Sequence, residues 1–220
     1  MYMGEFSNFF DMPEQNNPII RERLLKLDKA MSQLNLDAVL IHHDDEYLSF
    51  ELTEDCERLR YISGFTGSAG CAAIARSVKQ EFQSNGAKVK TSKGTYNLKC
   101  PAAVFTDGRY KVQVQNQIDH AFFEAFDSSE FSPQQWFEAV LEKHSRIGVD
   151  LRCISYKTYL ALKKDLENLD LELVPLKQNI VDIIWENRPE PEYSKVIIFP
   201  DEFNGCPSPQ KRLNLSQELR

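Results

Sequence analysis

Ile62-Ser63-Gly64-Phe65-Thr66-Gly67-Ser68-Ala69-Gly70 leads directly into Cys71-Ala72-Ala73-Ile74-Ala75. Glycines at 64, 67 and 70 allow a tight backbone path and close packing, and the small apolar run that follows reads as a strand. Ser68 superficially resembles the serine of a nucleophile elbow, but Thr66 stands where the first glycine belongs. The segment also enters a strand, whereas the elbow leaves one for a helix. Its glycines match neither a dinucleotide fingerprint nor a P-loop, and no Gly-Lys-Ser/Thr follows. Gly64 to Gly70 is therefore expected to be architecture, a close-packed turn into a strand.

Upstream, Ile20, Leu24, Leu27, Met31 and Leu34 recur at helical spacing. Asn17 suits the N-cap of that helix and Pro18 its first position, where a missing N–H costs nothing. Ala38-Val39-Leu40-Ile41 then reads as a short buried strand. Downstream, residues 78 to 100 look like a long hairpin insertion, with Lys88 to Lys99 solvated, and Ala102 to Phe105 is a strand stopped at Asp107-Gly108. Residues 110 to 118 fit strand or helix, and Gln113, Gln115 and Gln117 favour helix. Ala121 to Phe126 is expected as a strand, and Ser132-Pro133 opens a helix with Trp136, Phe137, Val140 and Leu141 inward. Arg146 to Leu151 and Leu171 to Leu176 are the next strands. Between them Ser155 caps a helix faced by Tyr159, Leu162, Leu166 and Leu169, and Asn179 to Trp185 is a closing helical turn. Strands alternating with amphipathic helices predict an α/β fold, a layered sheet flanked by helices.

The spacing of prolines in Arg188-Pro189-Glu190-Pro191 marks a boundary. The predicted organisation is an N-terminal extension at 1–17, a main domain at 18–187 and a linker at 188–207. Ser208-Pro209 opens a further helix that echoes Asn17-Pro18, so 208–220 reads as the start of a second, similar domain.

The 220 residues carry a formal net charge of -7, a balance that repels polyanions and argues against a nucleic-acid partner. No apolar run approaches the roughly 18 residues of a membrane span. Met1 to Pro13 lacks a basic start, so it does not read as a secretory signal. Cys56, Cys71, Cys100, Cys153 and Cys206 are scattered without a C-x-x-C pair. Free thiols in the cytoplasm are expected, with neither disulfides nor a zinc site.

Three places carry possible chemistry. His42-His43-Asp44-Asp45-Glu46 holds metal-ligand types but is read as a solvated loop, because no H-E-x-x-H spacing accompanies it. Ser68 and Cys71 are expected not to act as nucleophiles. Thr106-Asp107-Gly108-Arg109-Tyr110 forms a turn from which Arg109 projects. Its guanidinium fork is either held by a neighbouring carboxylate or free to bind a peptide carbonyl or carboxylate.

Glu57-Arg58, Ile62 to Gly70, Thr106-Asp107-Gly108-Arg109-Tyr110, Ile147-Gly148-Val149-Asp150, Asn179-Ile180-Val181-Asp182, Trp185 and Arg188-Pro189 together resemble aminopeptidase P. Their order and spacing are those of the N-terminal domain of the long, three-domain cytosolic type, across residues 18 to 191. Phe203-Asn204-Gly205 with Ser208 and Lys211 resembles the start of that family's second domain. The resemblance implies a creatinase-like, ribonuclease H-like fold with a mixed sheet. It implies a parent enzyme that removes an N-terminal residue preceding proline from peptides, a homodimer, and two manganese ions in a C-terminal domain. This chain would contribute no catalytic residue and no metal ligand, and would be inactive alone. Arg109 matches an arginine that relatives use to help bind substrate, with Phe65 and Tyr61 shaping the same entrance. Asp45-Glu46-Tyr47-Leu48-Ser49-Phe50-Glu51 departs from the family pattern, since Tyr47 replaces a histidine. The competing reading is a free-standing peptide- or protein-binding module.

Overall fold

A computed structural model of the protein describes residues 17–76, 87–91, 94–191 and 193–219. The expectations for Met1 to Pro13, and for part of the insertion, concern residues outside these. The chain divides into two compact units, Met1–Glu190 and Pro191–Arg220.

The first unit opens with α1 (Pro18–Gln33), where Asn17 Oδ1 accepts from the Ile19 N–H as an N-cap should. Ile20, Leu27 and Met31 of its apolar stripe are buried, while Leu34, beyond the helix end, is exposed. β1 (Ala38–His42), β2 (Cys71–Ala75), β5 (Ala102–Thr106), β6 (Phe123–Asp127), β7 (Arg146–Val149) and β8 (Glu172–Pro175) form one sheet ordered β6-β5-β2-β1-β7-β8. β3 (Ala87–Thr91) and β4 (Gly94–Leu98) form a separate antiparallel hairpin.

β2 alone runs against its neighbours. It pairs antiparallel with β1 and with β5, whereas β5–β6, β1–β7 and β7–β8 are parallel. Gly64, which ends the helix before β2, and Gly70, just ahead of the strand, both adopt positive φ. After β1 the chain stays at the strand's exit edge through α2 (Arg58–Ser63), turns, and re-enters beside β1 without crossing back. A parallel neighbour would have required the chain to return to the other edge before pairing. Five strands therefore end on one edge, where β2 begins.

Alternation along β1 sends Val39 and Ile41 to one core and Ala38 and Leu40 to another. The first lies under α1, α2, α3 (Lys111–Gln117) and α6 (Ile180–Ile184). The second lies under α4 (Pro133–Val140) and α5 (Tyr156–Asn168), with Trp136 and Phe137 fully enclosed. Burying such a ring contributes about 1.5–3 kcal/mol. The hairpin joins this second core. Leu98 is buried, and Tyr96 stacks on Phe131 at 4.7 Å, so the stretch expected to be solvated is partly folded in.

Residues 111–117 are helical, preceded by a 3-10 turn at Gly108–Tyr110. Ala121 and Phe122 lie in a turn ahead of β6, because Asp119 accepts the N–H of Ala121 and its carbonyl those of Phe122 and Phe123. Ser132 and Gln135 close a capping box at the start of α4.

In the second unit, α7 (Asp201–Asn204) ends at left-handed Gly205, and α8 (Ser208–Glu218) follows.

Candidate functional site at the exit edge of the sheet

Asp107 ends β5, and its carboxylate accepts from the backbone N–H of Arg109, capping the 3-10 turn. The same carboxylate grips the guanidinium, with Nε at 2.9 Å from Oδ1 and Nη2 at 2.7 Å from Oδ2. This fork-to-fork pairing holds the Asp107 carboxyl below its ordinary pKa, chiefly through the Arg109 hydrogen bonds. The Arg109 side chain remains 70% exposed, and its guanidinium carbon lies 5.2 Å from the Tyr110 ring centre. The turn thus presents an oriented cation at the edge.

Tyr110 supports it. Its hydroxyl meets the Ser68 hydroxyl at 2.5 Å, and its ring meets Phe65 edge-on at 5.8 Å. Phe65 itself is 1% exposed, so it acts by packing beneath Tyr110 rather than at an open entrance. The Phe65 ring also explains Gly67, where a Cβ would sit 2.2 Å from the ring's Cζ. Tyr61 stands apart from this group. It is half-buried, stacked on Trp185 at 4.5 Å, under the Arg23 guanidinium at 4.0 Å, with its hydroxyl donating to the Ile184 carbonyl.

A second centre lies where β1 and β7 end. Arg58, 1% exposed, donates Nε and Nη2 to Asp182 at 2.7 and 3.1 Å, and Nη2 also to Glu46 at 2.9 Å. Burial opposes its charge, but the Asp182 bonds outweigh that and raise its pKa. Arg188 joins through Asp182 at 3.0 Å and the Asp55 carbonyl at 2.7 Å. Beside them, Arg152 forks onto Asp150 with Nε at 3.0 Å and Nη2 at 2.8 Å. Burial lifts the Asp150 carboxyl, yet the Arg152 bonds prevail and hold it below its ordinary pKa. Motif residues spread over more than half the sequence converge here, a meeting that short-range spacing did not reveal.

Glu46, Asp150 and Cys153 offer ligand atoms within 4.8 Å of one another, but the set does not fit a divalent cation. Arg58 and Arg152 already occupy the two carboxylates, and burial pushes the Cys153 thiol up to about 12. The loop before Glu46 is not the solvated segment expected. Asp45 is buried and accepts the N–H groups of Tyr47 and Ser49 at 3.0 and 2.9 Å, shaping a turn. Cys71 stands across the ladder from His42, a nucleophile–base pairing by type. Burial pushes that thiol up to about 12, and among the described residues the His42 Nε2 has no hydrogen-bond partner, so the pair is not primed as a thiolate.

The sequence matches the model for the Creatinase/Prolidase N-terminal domain over residues 23–184. It is 31% identical over 202 residues to the "Probable Xaa-Pro aminopeptidase P" of Talaromyces marneffei, and 32% identical to that of Talaromyces stipitatus. Each alignment covers 90% of this chain but 27% of the relative. Among solved structures, the X-prolyl aminopeptidase of Caenorhabditis elegans, described as a cytosolic enzyme with a di-nuclear active site, superposes with a TM-score of 0.71. That match is at 24% identity and covers 91% of this chain and 31% of the nematode one. The chain thus spans under a third of the length of these relatives. The mixed sheet, its helical layers and the family match agree, and the chain belongs to the creatinase/prolidase N-terminal domain family.

Proposed function

We propose that this chain is the non-catalytic, substrate-positioning domain of a metal-dependent Xaa-Pro aminopeptidase acting in the cytoplasm. The observation that carries the reading is the Asp107–Arg109 fork, an exposed and pre-oriented guanidinium at the edge where five strands end. Such a fork binds a peptide carbonyl or carboxylate with little loss of side-chain freedom. The relatives' names supply the substrate class, a peptide with proline in second position. Metal ions, two manganese ions by resemblance, would supply the hydrolytic chemistry from a domain outside this chain. In this reading 18–187 is the positioning domain, 188–207 a linker, and 208–220 the start of a second similar domain. The enzyme works as a homodimer.

Two measurements test this. The purified chain, given manganese and an Arg-Pro-Pro peptide, is expected to show no turnover and no tight metal binding. Cleavage that disappears in Ser68→Ala or Cys71→Ala would overturn the reading. Peptide titration followed by NMR should weaken in Arg109→Ala, and unchanged binding would retire Arg109.

A further inference from the structure

Arg109 has a structural twin. β5 is followed by Asp107-Gly108-Arg109 and β7 by Asp150-Leu151-Arg152, and each triplet opens a 3-10 turn. In both, the aspartate caps the turn by accepting the arginine's own N–H, at 2.9 Å in the first and 3.1 Å in the second. In both, it also accepts Nε and Nη2, at 2.9 and 2.7 Å in the first and 3.0 and 2.8 Å in the second. The same fork is thus held the same way twice, leaving the Nη1 side of each guanidinium for another acceptor. Arg152 is half exposed, and at Nη1 it meets Glu46 only at 3.8 Å, beyond hydrogen-bond reach.

The sheet places the two forks on one edge. β5 and β7 both run parallel to β1, so both end on its exit side, with β2 and β1 between them. Three strand spacings part their ends by about 14 Å across the sheet, and the register sets the end of β5 three residues beyond that of β7, so an extended peptide covers the gap in about six residues. The loop leaving β1, between them in strand order, exposes Tyr47 and Phe50 at 88% and 87%. Large apolar side chains held out on a turn anchored by Asp45 suit contact with a polypeptide.

We propose that Arg152 is a second polypeptide-binding guanidinium, and that the ligand reaching both forks is an extended segment of about six residues or more. The inference rests on the reading of Arg109 as a peptide-binding residue and adds a length requirement to it. In a merely structural role, Arg152 would only balance Asp150 and Glu46, with no bearing on peptide length.

The test titrates the chain with Arg-Pro-Pro and with the same peptide extended by glycine and serine to about six and about eight residues, followed by NMR or calorimetry. The longer peptides are expected to bind at least about tenfold tighter than the tripeptide, the effect of one more charge-assisted hydrogen bond. Arg152→Lys, which keeps the charge beside Asp150, should bring the long-to-short ratio towards one. Arg109→Lys should weaken short and long peptides together. A ratio that Arg152→Lys leaves standing, or a wild-type protein that binds all lengths alike, overturns the proposal; the second result decides even if the variant does not fold. Loss of the ratio in Arg152→Lys with no effect of Arg109→Lys would instead keep Arg152 and remove Arg109.

Discussion

Asp182 accepts from Arg58 and Arg188 while 7% exposed, so its removal takes the main partner from two guanidinium groups, leaving the fully buried Arg58 with Glu46 as its remaining carboxylate. Asp182→Ala is expected to lower unfolding free energy by up to about 3–5 kcal/mol in urea titration, because a buried charge stripped of its main partner costs more than the pair contributes, and Glu46 offsets only part of it. Replacing both partners, as in Arg58→Met with Asp182→Leu, should cost less than the two single changes added together. His42 gives a pH signature. Burial holds its pKa below the ordinary value, opposed only weakly by Asp44. Above about pH 6.5 both folded and unfolded states carry neutral imidazole and His42 contributes no slope. Below that, the unfolded chain takes up a proton that the native state refuses, so stability falls by up to about 1.4 kcal/mol per pH unit until the native pKa is reached. The difference in stability between wild type and His42→Gln, measured from pH 7 down to pH 5, should show that slope. A flat difference would show that His42 titrates alike in both states.

At the scale of elements, the turn from α2 into β2 depends on one ring. Gly67→Ala forces a methyl into the Phe65 ring and is expected to cost about 1–3 kcal/mol in thermal or chemical unfolding. Phe65→Leu, by shortening the obstructing side chain, should recover part of the cost introduced by alanine at 67. These elements were legible in the sequence where the signal is local. Asn17-Pro18, Ser132-Pro133 and Ser155 mark helix starts through caps that reach only two or three residues, and the structure has each in place. The helix at 111–117 was readable only as a preference, because Tyr110, Val112, Val114 and Ile118 satisfy both periods. The buried arginine network was not legible. Arg58 reaches Glu46 across 12 positions and Asp182 across 124, and Arg188 reaches Asp55 across 133, separations that no local pattern encodes. The exposed fork was half legible. Asp-Gly announced a turn, while the choice between held and free left Arg109 open, and the structure makes it held and exposed together.

For the whole molecule, thiol reactivity reads the two cores at once. Cys71 and Cys153 are pushed up to about 12 and Cys100 to about 11, each first by burial. At pH 8 an aromatic disulfide reagent should label Cys206 first, Cys56 more slowly because burial also raises its thiol, and the other three only as the domain opens, with all five reacting after denaturation. Fast labelling of Cys71 would mean that the centre of the sheet is not closed. The Arg58 cluster bears on when that closure occurs. Its anchors come from the loop after β1, from α2, and from α6 and the residues just beyond it, so the guanidinium lacks its main partner until Asp182 has been made. During synthesis, a chain that has emerged only through β7 has most of its strands but only Glu46, and not yet Asp182, to meet Arg58. The closing helix thus acts as a clasp, and completion of the domain is timed by its last segment to leave the ribosome.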